Sequence, residues 1–285
     1  MIPAARANDI HEKVVSIRNL RYSYEGRIQA LVEVNIDIRA GEFVAIVGGN
    51  GSGKTTLAKA MIGLLKPATG SVTVAGKRTS ASTVAELARV IGYAYQNPDH
   101  QLFCATVQEE VAFGPTNLGF APADVARKVE HAIESMNLEA IRKEQPLSLS
   151  LGDRRKVSLA SVIAMDPRIL VLDEPTTGLD ADDIEDLMSS IDALNAEGRT
   201  IMLITHDMRL VADYARRVVV MGSGRILLDC DPKGAFYDLQ VLKSSSLEPP
   251  TVAILAHRLS ALGVRKDVLT PDELVMQLFR GGDFL

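Results

Sequence analysis

Lys54 follows Gly48-Gly49-Asn50-Gly51-Ser52-Gly53 and precedes Thr55-Thr56: a glycine, four residues, then Gly-Lys-Thr. Glycines let consecutive backbone N–H groups turn toward one point without a Cβ in the way, and a helix starting there adds its positive end. The group suited to that point is a polyphosphate. Gly48, Asn50, Gly51, Ser52, Gly53 and Thr56 form the cradle, Lys54 supplies a point charge for the β- and γ-phosphates, and the Thr55 hydroxyl supplies a ligand for Mg²⁺.

A second chemical pair is Asp173-Glu174, at the end of the apolar run Ile169-Leu170-Val171-Leu172. Adjacent carboxylates leaving a buried strand are costly unless something occupies them, and Mg²⁺ with a water would. Asp173 then holds the metal through its hydration shell, and Glu174 polarises the water that attacks the γ-phosphate. His206 ends another apolar run, Thr200 to Ile204, and Gln96 follows Ile91 to Tyr95. Ligands of open α/β sheets bind at the carboxyl ends of strands, so His206 becomes a γ-phosphate contact and Gln96 a metal or water contact. Tyr24 is open to two readings, plain sheet packing or a stacking platform for adenine. Ser150, with Asp153 three residues on, is either a helix cap or a second anion site at a helix N-terminus.

The elements that position these residues follow in chain order. Residues 1–13 lack periodicity and read as a loose tail. Val14 to Arg39 alternates in short runs about Tyr24-Glu25-Gly26 and predicts antiparallel strands, which Ser71 to Val74 extends. Phe43 to Val47 predicts the buried strand before the glycine loop, and Leu57 to Ile62 the helix after it. Val84 to Val90 predicts a helix. From residue 97 to about 165 the texture turns helical. Thr106 to Phe113 predicts a helix that breaks at Gly114-Pro115, and Asp124 to Met136 one with an apolar face of Val125, Val129, Ala132, Ile133 and Met136. Arg217 to Leu228 predicts a closing hairpin. Past residue 231, Pro249-Pro250 precedes a stripe at Val252, Leu255, Ala256, Leu259 and Leu262, and Thr270-Pro271-Asp272-Glu273 predicts a helix start.

With 285 residues the chain can bury a sizeable core, and 31 basic against 36 acidic residues give a net charge of −5, which argues against broad attraction to nucleic acid. Cys104 and Cys230 stand far apart, the pattern of a reducing compartment. Residues 1–13 lack the apolar region of a secretory leader, and no window reaches the ~18 consecutive apolar residues of a membrane-spanning helix. The expectation is a soluble chain, or one attached to a membrane through a partner.

Taken together, these residues resemble an ATP-binding cassette ATPase over roughly residues 14–230: an aromatic at Tyr24, Walker A at 48–55, the Q-loop at Gln96, a signature stretch at 149–153, Walker B at 169–174 and the switch His206. Thr177-Gly178-Leu179-Asp180 resembles the family's D-loop. The segment Tyr95 to Phe103, with Thr106-Val107 and Val111 to Gly119, is similar to the ATPase subunits of energy-coupling factor importers of cobalt, nickel and vitamins. The resemblance implies an α/β P-loop NTPase (RecA-like) core with an antiparallel β subdomain, an inserted helical subdomain at about 97–165, and a C-terminal helical appendage at 231–285 that is a candidate dimerisation element. It implies ATP and Mg²⁺, a head-to-tail dimer with a second ATPase chain, paralogue or self, and a seat at the cytoplasmic face of the membrane. There it would lie beneath an integral membrane coupling protein carrying a substrate-binding subunit. Ser150, Gly152 and Asp180 then face the partner's nucleotide. Where the family signature reads Leu-Ser-Gly-Gly-Gln, this chain has Leu149-Ser150-Leu151-Gly152-Asp153, a departure that weakens that site and favours a paralogous partner. Two other readings stand beside this one. A soluble non-transport cassette ATPase working on nucleic acid or ribosomes predicts a long coiled-coil insertion or tandem cassettes, and neither is present. A regulatory module that binds ATP without turnover conflicts with Glu174 and His206.

Overall fold

The structure is a computed structural model that describes residues 12–25, 28–265 and 267–280. Residues 1–11 of the expected tail and Gly26 of the first turn lie outside the described residues.

The strands are β1 (Lys13–Tyr24), β2 (Ile28–Arg39), β3 (Phe43–Val47), β4 (Thr69–Val74), β5 (Lys77–Arg78), β6 (Ile91–Ala94), β7 (Ile169–Asp173), β8 (Thr200–Thr205), β9 (Arg217–Gly222) and β10 (Arg225–Cys230). The helices that bear on function are α1 (Lys54–Met61), α2 (Val84–Ala88), α3 (Val107–Asn117), α4 (Pro122–Ser135), α5 (Leu151–Ile163), α6 (Ala181–Ala196) and α7 (Met208–Tyr214). After them come α8 (Pro232–Tyr237), α9 (Leu239–Ser244), α10 (Thr251–Leu259) and α11 (Pro271–Arg280).

The central sheet runs β10-β9-β3-β8-β7-β6, parallel from β9 to β6 with β10 antiparallel at its edge. Its inner strands are continuous apolar runs because both faces are covered. Along β7 the period of two is explicit: Ile169 and Val171 bury in the cluster shared with α1 and the antiparallel sheet, Leu170 and Leu172 in the cluster shared with α5 and α6. Every residue of β3 and β7 is buried, so the loops at their carboxyl ends hang from a rigid frame. The antiparallel sheet, β2-β1-β4-β5, is stitched to the core where Val32 N–H donates to Gly224 O at 2.8 Å.

Helices α3, α4 and α5 pack together, and the expected apolar face of α4 is its buried face at Val129, Ala132 and Ile133. The expected break at Gly114-Pro115 does not occur: α3 continues to Asn117. Pro115 joins Val107 and Val111 in the helix's buried i, i+4, i+8 stripe, and Gly114 lets α3 approach the end of α5, since a Cβ there would lie 2.6 Å from Cγ of Met165, just past that helix, and 3.5 Å from Ser161 O within it. Burial outweighs the lost hydrogen bond that usually ends a helix at proline.

After residue 231, Phe236, Leu242 and Leu247 complete the core around Ala45, Val47 and Val218, while Ala256, Val264, Val268 and Leu274 form a small cluster of their own. In α10 the expected stripe stands at Ala256, which is buried, and at Val252 and Leu259, which pack against the same cluster, but Leu255 is exposed and Ala253 is buried instead; the side chain of Leu262 lies outside the described residues. The expected start of α11 stands: Glu273 N–H donates to Thr270 Oγ1 at 3.3 Å.

Gly92, paired with Leu170 in β6, has room for no side chain: a Cβ would fall 2.4 Å from Val162 Cγ1 and 3.0 Å from Pro167 Cγ. Gly92→Ala is expected to lower unfolding stability by about 1–3 kcal/mol through overpacking. A chemical-denaturation midpoint equal to that of the wild type would contradict this packing.

Candidate functional site

At the carboxyl ends of β3 and β7, Tyr24, residues 50–56, Gln96, Asp173 and Glu174 line one cavity of about 300 Å³. The glycine loop leaves β3 and enters α1, and its shape excludes side chains where it turns. Gly48 sits at φ +154°, and a Cβ would lie 2.3 Å from Met221 O; Gly53 caps α1 at φ +104°, where a Cβ would lie 2.6 Å from Ala30 O. No side chain caps α1 and no acidic residue stands in its first turn, so its N-terminal N–H groups face the cavity uncompensated. Ser52 Oγ is buried with no hydrogen-bond partner among the described residues.

Lys54 is buried and its ammonium donates to the carbonyls of Gly48 (2.6 Å) and Gly49 (3.2 Å). Burial pulls its pKa below the usual lysine value, and the charges of Glu174 and Asp173 oppose that shift. Thr55 Oγ1 donates to Asp173 Oδ2 at 2.9 Å, and the Tyr93 hydroxyl donates to the same oxygen at 2.7 Å. Burial, and then Asp173, push the Tyr93 phenol far above its ordinary value, so it stays a donor. Glu174 lies at φ +50°, a left-handed conformation that costs about 1–3 kcal/mol outside glycine. It places Oε1 2.8 Å from Nδ1 of the exposed His206. Tyr24 closes the cavity with its hydroxyl 3.3 Å from Thr56 Oγ1.

Such a set can hold a polyphosphate between backbone N–H groups and an ammonium, and it sets a buried hydroxyl–carboxylate pair beside it. Among the described residues no three His, Cys, Asp or Glu side chains cluster as a metal site. A cation at Thr55 and Asp173 would therefore take the rest of its oxygens from phosphate and water, as Mg²⁺ does.

Ser150, Gly152 and Asp180 stand elsewhere, as a second group where α5 and α6 begin. Ser150 Oγ accepts from Asp153 N–H at 3.1 Å and donates its proton to Asp153 Oδ2 at 2.8 Å. Asp180 caps α6 by accepting from Asp183 N–H at 2.9 Å. Gly152 is confined, since a Cβ there would lie 2.2 Å from Asp183 Oδ2, and Leu151 Cδ2 lies 3.1 Å from where a Cβ on Gly178 would sit. The helix cap read from the sequence is present, and its hydroxyl proton is committed within the chain.

Three residues of the site escape sequence reading. Tyr93 is one of four buried residues in a row and carries no periodic signal. Glu110 accepts from the N–H groups of Phe103 and Cys104, both at 2.8 Å, and fixes the loop whose exposed Phe103 makes a T-shaped pair with Phe113 of α3. Arg155 is buried in α5 against three backbone carbonyls. The last two leave a trace: a charged residue at i+3 from Val107 or i−4 from Leu159, on an apolar helix face.

Residues 31–177 match the family described as ABC transporter. The chain belongs to that family. It is 38% identical over 275 residues to the energy-coupling factor transporter ATP-binding protein EcfA of Methanothermobacter thermautotrophicus, covering 95% of this chain and 88% of that protein, and so belongs among the energy-coupling factor ATP-binding proteins. It is 42% identical to a putative ABC transporter ATP-binding protein of Caldanaerobacter subterraneus, again over 95% of this chain, yet it spans only 48% of that relative's length. Among solved structures, cbiO1 of Clostridium perfringens, part of the ABC transporter complex cbiONQ, superposes with a TM-score of 0.75 at 34% identity, over 87% of this chain and all of that one. The cassette fold is thereby that of the family.

Tyr93→Phe leaves buried Asp173 short of a charge-assisted donor, so this ABC cassette should lose about 1–3 kcal/mol of unfolding stability. Tyr95→Phe, which breaks no hydrogen bond among the described residues, should stay within about 0.5 kcal/mol. Parallel denaturation curves check both; equal losses would contradict the assignment of the Tyr93 hydroxyl.

Proposed function

We propose that this chain hydrolyses ATP and powers an energy-coupling factor type importer of a metal ion such as cobalt or nickel, or of a vitamin. The observation that carries the chemistry is the convergence of Lys54, Thr55, Asp173, Glu174 and His206 at the carboxyl edge of one sheet. Gly48, Asn50, Gly51, Ser52, Gly53 and Thr56 cradle the phosphates, Lys54 exchanges the Gly48 and Gly49 carbonyls for β- and γ-phosphate oxygens, and Tyr24 stacks on adenine. Thr55, Asp173 and Gln96 would hold Mg²⁺, which would supply charge neutralisation for the phosphates. Glu174 accepts a proton from the attacking water as the bond from Pγ to the bridging oxygen breaks, and His206, 2.8 Å from Glu174, contacts the γ-phosphate.

Among the described residues no helix is long and apolar enough to cross a membrane, so transport needs partners. We assign an integral membrane coupling protein with a substrate-binding subunit, a second ATPase chain, and a peripheral place at the cytoplasmic face. Ser150, Gly152 and Asp180 form the surface offered to the second chain's nucleotide. The Ser150 proton already given to Asp153, and the negative charge of that residue, support a paralogous partner with an ordinary signature over self-pairing. Nucleic acid is not a partner in this reading, in keeping with the net charge of −5. Phe103, exposed beside Phe113 on a loop that starts at Gln96, is proposed to meet the membrane protein.

The test is a pull-down of the tagged Glu174→Gln protein with Mg-ATP from detergent-solubilised native membranes. Membrane subunits are expected to come with it and to point to the solute; ribosomal or DNA-associated partners alone would overturn the importer. In the assembled complex, Phe103→Ala should lower solute uptake by about ten-fold or more while ATP hydrolysis stays within about two-fold, the pattern of a lost hot-spot contact. Equal loss of both would remove the coupling role.

A further inference from the structure

Arg155 is a buried cation that the proposed chemistry does not use. It is 7% exposed and pairs with no carboxylate among the described residues. Its Nη1 donates to Gln96 O at 2.9 Å and to Glu174 O at 3.3 Å, and its Nη2 donates to Thr177 O at 2.5 Å. The carbonyls belong to two irregular segments: Gln96 in the one after β6, and Glu174 and Thr177 in the loop that joins β7 to α6. Burial lowers the guanidinium pKa while Glu174 raises it. A desolvated charge held by neutral acceptors is retained at a cost.

What the fork holds is the backbone of the catalytic carboxylate. Glu174 is left-handed at φ +50°, a conformation that persists only where its surroundings over-determine it. Its N–H donates to Ile204 O at 2.8 Å, and its C=O accepts from Arg155. With both ends of that residue fixed, Oε1 stands at the 2.8 Å distance from His206. The same face of α5 also grips the segment after Gln96. Arg154 pairs with Asp99 at 3.1 Å, and the Gln101 amide donates to Ser158 O and Ser161 Oγ at 2.8 Å while accepting from Ser158 Oγ at 2.9 Å.

We propose that Arg155 is the positioning residue of this ATPase: its planar fork on Gln96, Glu174 and Thr177 holds the Glu174 carboxylate for catalysis and passes any shift of α5 to all three at once. The inference rests on the ATPase reading and not on the identity of the membrane partner. Arg155 touches no substrate and acts through Glu174. The geometry suits a guanidinium, because its two Nη atoms reach three carbonyls on two segments at once, whereas an ammonium is a single point.

The test is steady-state ATP hydrolysis by the full-length chain, with the subunits that co-purify, comparing wild type, Arg155→Lys, Glu174→Gln and the double variant. Arg155→Lys should lower kcat by about ten-fold or more with KM for ATP within about two-fold, as expected when a reacting group is misplaced and binding is untouched. Its melting temperature, measured alongside, should show a folded protein. In the Glu174→Gln background the same substitution should cost less than it does in wild type, because the group being positioned is already disabled. A wild-type kcat in Arg155→Lys, or an equal factor in both backgrounds, would overturn the positioning role and leave the ATPase intact. No hydrolysis by the wild type would overturn the ATPase reading and the inference with it.

Discussion

The hydrogen bond from Thr55 Oγ1 to Asp173 Oδ2, 2.9 Å long, joins the glycine loop to the end of a strand 118 residues away. β3 and β7 are not neighbours; β8 lies between them, so the loop at the end of β3 must arch over the end of β8 to reach Asp173. That reach depends on both strands ending at the same level, which the parallel registers through β8 enforce: Val47 pairs with Thr205 and Asp173 with Ile204. Strands buried on both faces cannot slip by one residue without turning their apolar side chains into the wrong cluster. Apolar register therefore sets polar geometry.

Around that bond each buried charge is held by neutral hydrogen-bond partners. Asp173, 2% exposed, takes two hydroxyl donors, and Lys54 lies on loop carbonyls with the two carboxylates close enough to raise its pKa against burial. Buried charges of this kind contribute little to stability, and their retention speaks for function. The cluster at α5 and α6 differs in kind. Asp153, Asp180 and Asp183 crowd two exposed helix starts, and their hydrogen bonds satisfy the helices themselves. One edge of the molecule carries the glycine-loop cavity, and at the other the helix starts are capped by their own side chains, with Lys156 beside Asp183.

Much of this was legible in the residues alone, for identifiable reasons. The glycine loop and Asp173-Glu174 are contiguous in the chain and flanked by apolar runs, so spacing gave away the elements and pointed to the chemistry proposed above; Gln96 and His206 followed because strand ends of one sheet converge. Gly114-Pro115 misled because a local propensity was outweighed by packing: Pro115 is itself part of the buried stripe. Arg155 and Tyr93 stayed hidden because their partners lie 19 to 80 residues away in the chain and exist only once the strands are assembled. The α10 stripe was legible at Val252, Ala256 and Leu259 but not at Leu255, which faces solvent while Ala253 is buried.

The most direct measurement is an experimental structure of the Glu174→Gln protein with Mg-ATP. The account predicts the triphosphate in the loop of residues 48–56, with Lys54 Nζ moved from the Gly48 carbonyl to the β- and γ-phosphates and Thr55 and Asp173 turned to one Mg²⁺. Nucleotide bound elsewhere, or Lys54 still resting on Gly48 with the nucleotide present, would contradict it.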